Sequence, residues 1–402
     1  MKRMISEPSY HAGAEFDLPD LQDEDASVAK KDKPDKNSHD VERDKSDNPA
    51  LIDRMRIQQN LSAYGLQQLL DTMTAADRDY LLKNAFEVRK QHYGNTVYVR
   101  GLIELTNYCI RDCAYCGIRR SNRHADRYRL SPETILEACA EGYHLGFRTF
   151  VLQGGEDPYL NESRMLEIIA AIRTMFPDCA ITLSIGEWSK TSYVKFFQAG
   201  ADRYLLRHET ASRALYGKIH PDGDFDGRRG CLRDLKDIGF QTGAGFMVGL
   251  PGQTTADFVQ DLLFLKELDP HMVGIGPFIP HKDTPLVGNP AGTVDKTLTL
   301  LAMVRLLMPE VLLPATTALG TIDPFGREKA YSAGANVIMP NLTPATEKYK
   351  YTLYEGKAAI DDPPAKCLDD LRKKTETAGF VLDMQVGDHR RWQHAATRRV
   401  RV

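Results

Sequence analysis

Cys109, Cys113 and Cys116 stand in the stretch CIRDCAYCG, three of the chain's seven cysteines within eight residues. A structural zinc site usually takes four ligands, and only Cys113 and Cys116 have the C-x2-C spacing of a zinc loop. His124 is the nearest downstream histidine that could complete such a site. Three soft thiolates suit a [4Fe–4S] cluster better, because three ligands leave one of the four irons open to an exogenous chelate. Zinc stays open as the alternative. An odd number of cysteines, three of them clustered, argues against a disulfide framework and for a reducing cytoplasm.

The chain around this loop is 402 residues long, 42% hydrophobic, with a net charge of −3. It can bury a large core. Its charge lacks the excess of Lys and Arg that nucleic-acid binding usually needs. No apolar run is long enough to span a bilayer. The first residues lack the apolar segment of a secretory signal and are too acidic for a typical transit peptide. Residues 1–52 are rich in Asp, Lys and Ser and poor in large apolar groups, which predicts a disordered tail. Residues 57–92 have helical apolar spacing and predict lead-in helices. A domain over 53–395 follows, with a short tail at 396–402.

Strand-like runs start at 97, 148, 180, 203, 242, 272, 312 and 335, with mostly helical segments between them. The helix over 131–146 is marked by Ser131 as cap, Pro132 in its first turn and Gly146 at its end. Such alternation predicts an α/β fold of βαβ units, and eight units within roughly 250 residues fit a (β/α)8 TIM barrel. A doubly wound open sheet is the alternative. The barrel is preferred because the run ends turn polar or glycine-rich: ELTNYC, LQGGEDPY, SIGEW, LLRHET, VGLPGQT, PFIPHKDT, PATTALGT and MPNLTP. In a barrel those ends meet at one mouth, where active sites sit. There Gly154 and Gly155 would let backbone approach a ligand closely. Glu187, Arg207 and Glu209 would offer the carboxylate and guanidinium partners that a charged ligand needs.

C-x3-C-x2-C just after the first strand, with Tyr115 ahead of the last cysteine, resembles the radical S-adenosylmethionine (SAM) superfamily. The resemblance implies a [4Fe–4S] cluster on Cys109, Cys113 and Cys116, with its open iron chelated by the amino and carboxylate groups of SAM. It implies that an electron from the cluster cleaves the sulfonium to give methionine and a 5′-deoxyadenosyl radical. The strings LQGGEDPY, RYLLRHET, TGAGFMVGLPGQT, HMVGIGPFIPHKDTPL, PATTALGT and NVIMPNLTP are similar to the HydE family of [FeFe]-hydrogenase maturases, over about residues 53 to 395.

That resemblance places SAM against Tyr115, Gly154, Gly155, Glu156, Thr182, Ser184, Glu209 and Arg228, with Arg228 toward its carboxylate. It places the substrate against Gln153, Arg207, Thr316, Thr317, Met339 and Tyr351. The residues also admit plainer roles, with Met339 as apolar core and Thr316 and Thr317 as loop caps. The implied substrate is a cysteine-bound Fe(CO)2(CN) complex made by HydG, whose S–C bond is broken on the way to a di-iron centre assembled with HydF. A ferredoxin or flavodoxin would supply electrons. Some family members carry a second cluster near the C-terminus. Here that stretch keeps only Cys367, with Ala359 and Asp370 in the other positions, so no second cluster is expected. Cys139, Cys179 and Cys231 are expected as small buried hydrophobes. Two other classes remain at this point. One is an amino-acid mutase similar to methylornithine synthase; the other is a zinc-binding or iron-carrying scaffold without radical chemistry.

Overall fold

A computed structural model describes residues 46–357 and 364–392. The tail expected at 1–52 lies outside that range up to residue 45, as do residues 396–402 and Ala359. The described chain carries a helix, Asn48–Gln58, that begins ahead of the expected boundary at 53. Asp47 caps it by accepting from the Ala50 amide, and Leu51, Ile52 and Met55 are fully buried, so the helix has both a start signal and an apolar stripe to bury. Two more lead-in helices follow, Ala63–Thr72 and Ala75–Tyr93, the second opened by a reciprocal Thr74–Asp77 capping box. Ala75–Tyr93 packs on Val294–Leu307, a helix buried on nearly every side.

The core of the fold is a closed parallel barrel. Its first stave is split at Arg100 into Thr96–Val99 and Gly101–Thr106. Next come Thr149–Gly154, Ala180–Ser184, Arg203–Leu205, Gln241–Ala244 and Met272–Val273, each parallel to the one before. The run at 312 contributes only single bridges, Met272 to Leu312 and Pro314 to Val337. Pro314 has no amide hydrogen, so this stave cannot carry a full ladder. Val337–Ile338 then pairs with Tyr98 and Val99, and the ring closes. All eight runs read from the sequence are therefore staves, and an open sheet is excluded. Near-continuous burial along the staves follows from helices covering one side and the barrel interior the other.

The helices between staves are set by local signals. Ser131 accepts from the Thr134 amide at the head of Pro132–His144, and Asn161 accepts from the Arg164 amide at the head of Glu162–Met175. Beneath the barrel the C-terminal segment acts as a plug. Asp388 pairs with the fully buried Arg203 at 2.7 Å and accepts from Gln241 Nε2 at 2.6 Å, and Trp392 donates to the Gly239 carbonyl at 2.8 Å. Among the described residues no helix is long and apolar enough to cross a membrane.

The plug also makes stability depend on pH. His271 and His389 meet edge to face at 5.0 Å. Burial holds both imidazoles neutral, lowering His271 to about 4 and His389 to about 3. The unfolded chain therefore binds more protons than the folded one below pH 6.5, and stability present above that pH is lost as pH falls toward 4. Chemical denaturation from pH 7.5 to 4.5 should show this loss, up to about 1.4 kcal/mol per pH unit for each histidine. His271→Gln, which keeps an acceptor for the Thr242 amide, should remove one histidine's share of the slope.

Candidate active site

The first stave ends at Thr106, and the chain then runs to residue 128 with no regular secondary structure. A loop without a ladder must satisfy its carbonyls otherwise. Buried Asn107 pins both ends: its Nδ2 donates to the Asp126 and Lys350 carbonyls at 2.7 and 2.9 Å, and its Oδ1 accepts from the Tyr128 amide at 2.8 Å. Arg127 donates to the carbonyls of Asn107, Ile118, Arg119 and Asn122. Asp112 accepts from Arg119, at 2.7 Å, and from the Ser121 amide and hydroxyl. Seven residues past Asn122 the chain rejoins the barrel by an antiparallel bridge from Arg129 to Thr106.

This frame holds Cys109, Cys113 and Cys116 half-buried, with none in a disulfide. Cys109 Sγ accepts from the amides of Arg111 and Glu156, each at 3.4 Å. Cys113 Sγ lies 3.2 Å from His220 Nδ1. Burial pushes all three thiols up, Cys116 to about 12, and the neighbouring cysteines add to the rise at Cys113 and Cys116. The thiols therefore feel one another's charge. Zinc would draw every sulfur to about 2.3 Å of one centre, whereas a cluster spreads its ligands over separate irons. The loop, with amide donors already aimed at sulfur, fits the cluster.

Gly155, at the end of the second stave, is where the loop meets the barrel. A Cβ there would sit 2.2 Å from the Tyr108 carbonyl and 2.8 Å from Cys109 Cβ. The close approach expected of this glycine is thus made by the cysteine loop itself. Gly154 beside it is less tightly held, its nearest contact being Thr106 Cγ2 at 3.1 Å.

The charged strand ends gather next to the cysteines. Glu156 pairs with Arg111 at 2.6 Å, Arg111 with Glu187 at 3.2 Å, and Glu187 with Arg228 at 2.8 Å. Arg228 comes from the helix Phe225–Ile238 and also approaches the Tyr216 hydroxyl at 3.4 Å. Burial works against its charge, yet Glu187 pushes the guanidinium above its ordinary range. Glu209 adopts a left-handed backbone with φ of 64°, a conformation that costs about 1–3 kcal/mol and persists only where neighbours impose it. Here its amide donates to Gly245 and its carbonyl accepts from Met247, both at 3.0 Å. Its carboxylate lies 3.0 Å from Arg207, close enough to pair although the geometry is not that of a hydrogen bond. Thr182 is buried inside the barrel with its hydroxyl unpartnered, and Ser184 ends the same strand.

Of the expected substrate residues, Gln153 shares the second stave with Gly154, and Arg207 pairs with Glu209 as above. Gln153 Nε2 lies 3.3 Å from the Tyr351 hydroxyl, and Tyr351 is buried. Thr316 occupies the cap position of Thr317–Ile322 but makes no side-chain cap bond, and its hydroxyl is buried without a partner. Gly276 faces it, since a Cβ there would lie 2.9 Å from Thr316 Oγ1. Thr317 is half-buried beside it. Met339 is half-buried just past the last strand rather than deep in the core.

Three participants were not foreseen. Arg111, between the first two cysteines, bridges two strand-end acids. His220 reaches into the cysteine loop from the turn after Arg213–Ile219. Glu104, in the first stave, forms a buried ion pair with Lys357 and accepts from Asn341 Nδ2 at 2.8 Å. Only Glu104 carried a signal, being a charge in the middle of an apolar strand.

The radical SAM superfamily profile matches residues 103–265, spanning the cysteine loop and the first five staves. The [FeFe] hydrogenase maturase subunit HydE of Thermotoga maritima is 48% identical over 314 residues, which is 77% of this chain and 90% of that protein. A 3-methylornithine synthase of Methanosarcina acetivorans is 31% identical over 75% of this chain and 83% of its own length. In structure, methylornithine synthase (PylB) superposes with a TM-score of 0.74 at 27% identity, covering 83% of this chain and 97% of that one. Barrel, loop and profile together define a radical SAM enzyme, a class that uses a [4Fe–4S] cluster and SAM. Within that class, the chain belongs to the HydE family.

Gly155→Ala should force the cysteine loop off the second stave, because the clashing atoms are backbone and Cβ rather than a flexible tip. The expected result is a several-fold fall in iron and sulfide bound per chain after anaerobic reconstitution, with the circular dichroism spectrum retained.

Proposed function

We propose that this chain is a HydE-type maturase that prepares an organometallic precursor of the [FeFe]-hydrogenase active site in the cytoplasm. The observation that carries this reading is the 48% identity to HydE over 90% of that protein. The site described above supports it, since a charged cradle lies beside the cysteines and Thr316 carries a buried hydroxyl with no partner. In this reading the domain is the barrel with its lead-in helices.

Cys109, Cys113 and Cys116 would hold the cluster, and Tyr115, Gly154, Gly155, Glu156, Thr182, Ser184, Glu209 and Arg228 would surround SAM. Together the two cofactors supply a 5′-deoxyadenosyl radical. The chain's own work is to position and to exclude water. Arg228, kept charged by Glu187, presents its remaining guanidinium hydrogens to a carboxylate. Thr182 offers a buried hydroxyl with no protein partner, so a ligand that accepts from it repays the desolvation of that group. The closed barrel keeps solvent from a reactive intermediate.

The substrate in this reading is a cysteine-bound Fe(CO)2(CN) complex supplied by HydG. Cleavage of its S–C bond leaves an iron–sulfur fragment for di-iron assembly with HydF. Arg207 supplies positive charge for an anionic complex, and Thr316 an unpartnered hydroxyl for cyanide or carboxylate; Gln153, Thr317, Met339 and Tyr351 complete the wall. Ferredoxin or flavodoxin would deliver the electron. A second cluster is not part of this reading, because Cys367 has Asp370 near it in the helix Pro364–Thr377 where a further thiolate would be needed. The second reading is an amino-acid mutase, favoured by the 31% identity to 3-methylornithine synthase and by the Arg207–Glu209 pair, which would suit a zwitterion.

The two are separated by freeze-quench electron paramagnetic resonance on the reconstituted, reduced protein with SAM and the synthetic iron–cysteine complex. The expected result is a new organometallic signal carrying the adenosyl carbon, absent from Cys109→Ala, Cys113→Ala and Cys116→Ala. SAM cleavage without such an adduct would overturn the assigned substrate. Amino-acid rearrangement with SAM regenerated would establish the mutase. Thr316→Val should weaken substrate binding about 10- to 100-fold, the loss of one hydrogen bond to a charged group, read as a rise in the substrate concentration at half-maximal signal.

A further inference from the structure

We propose that His220 tunes the cluster, by donating a hydrogen bond from Nδ1 to the Cys113 thiolate. This rests on the reading of the three cysteines as cluster ligands. The ring is buried, with its Nδ1 3.2 Å from Cys113 Sγ and its Nε2 3.3 Å from the Tyr115 hydroxyl. A ligating sulfur carries no proton and can only accept, so Nδ1 must carry the hydrogen. Nε2 is then a lone pair, and the Tyr115 hydroxyl donates to it. One neutral tautomer satisfies both contacts; the other can donate from Nε2 to the Tyr115 oxygen but turns a lone pair toward the Cys113 thiolate.

The ring is held in that orientation from several sides. Tyr216 stacks on it at 4.6 Å and 19°, and Tyr115 meets it edge-on at 5.4 Å. The His220 amide donates to the Tyr216 carbonyl at 2.8 Å. The Gly223 amide donates to the His220 carbonyl at 3.0 Å, and a Cβ on Gly223 would lie 2.9 Å from His220 Cβ.

The three sulfurs explain why a side chain is needed there. Cys109 accepts from two backbone amides, of Arg111 and Glu156. At Cys116 the backbone at Ile118 favours the thiolate against the effect of burial. For Cys113 the polar neighbour is His220, from a different part of the chain. Donors to ligand sulfur draw electron density from it and favour the reduced, more negative cluster, which raises the reduction potential. His220 thus gives Cys113 what backbone amides give Cys109. Through Tyr216, whose hydroxyl lies 3.4 Å from Arg228 Nε, the same ring touches the arginine proposed for the SAM carboxylate.

The test compares reconstituted full-length wild type, His220→Phe and His220→Gln, reading iron and sulfide content and the cluster's midpoint potential by EPR-monitored redox titration without SAM. Failure of the wild type to take up a cluster would sink the underlying ligand assignment. With clusters loaded, His220→Phe should lower the reduction equilibrium about tenfold, a 59 mV fall for one electron. His220→Gln, which keeps an N–H donor, should recover most of it. Equal potentials in wild type and His220→Phe would overturn the proposal. So would His220→Gln matching His220→Phe at a lowered potential, since packing and not the donor would then be responsible. If His220→Phe loads no cluster while His220→Gln does, the donor is required for assembly and the proposal stands; if neither loads, the ring serves packing and the proposal falls.

Discussion

Closure of the parallel barrel is the constraint on which the rest depends. Because every stave runs in one direction, each strand delivers its C-terminal end to the same rim. Residues as distant in sequence as Cys109, Glu187 and Thr316 follow strand ends and are brought to one mouth by that rule, and Arg228 joins them from a helix through Glu187. The closure is economical, since the stave around 312 needs only two single bridges, to Met272 and Val337. The buried guanidinium of Arg305 reinforces that seam, donating to the Pro309 and Gly334 carbonyls at 2.7 to 3.0 Å. A side chain thereby supplies donors near a strand that Pro314 has deprived of one.

Within the mouth, ion pairing does more than neutralise. Paired charges that are taken out of water gain little net stability, because desolvation roughly offsets their attraction. The chain of Glu156, Arg111, Glu187 and Arg228 is therefore better understood as orientation than as stabilisation. Each charge fixes its neighbour's rotamer, and the first arginine lies inside the cysteine loop. Moving the loop would disturb Glu156 directly and Arg228 through Glu187, two of the groups that face SAM in the proposed reading. The strained backbone of Glu209 belongs to the same pattern. A residue held at φ of 64° by hydrogen bonds to Gly245 and Met247 has a side chain whose direction is dictated by the barrel.

Much of this was legible in the sequence. The eight staves could be read because a strand covered on both sides is a short apolar run, and the run ends because their polar text has no place in a core. The cysteine loop could be read because three thiols at fixed spacing have few uses. The start of the first helix was misplaced because Asp47, its cap, sits in a charged stretch whose composition resembles a tail. The seam at Pro314 was counted as a strand, and its weakness follows from one missing amide hydrogen. His220 and Arg111 were not legible. Each takes its meaning from a partner across the fold, and neither stands in a pattern that spacing could expose.

Glu104 shows the other limit. Its carboxyl is buried and pushed up by desolvation against the pull of Lys357. A charge inside an apolar strand was visible in the sequence, but its partner lies 253 residues away. Lys357 also donates to the Tyr351 carbonyl at 2.9 Å, and the Leu353 carbonyl accepts from the Gly117 amide at 2.9 Å. A Cβ on Gly117, the residue after the last loop cysteine, would lie 2.1 Å from the Thr352 carbonyl. Residues 351–357 are thus anchored at one end to the first stave and in the middle to the cysteine loop. Tyr351 and the loop are coupled through this short segment, so a change that displaces Gly117 reaches the Tyr351 side of the proposed substrate wall through Leu353 and Thr352.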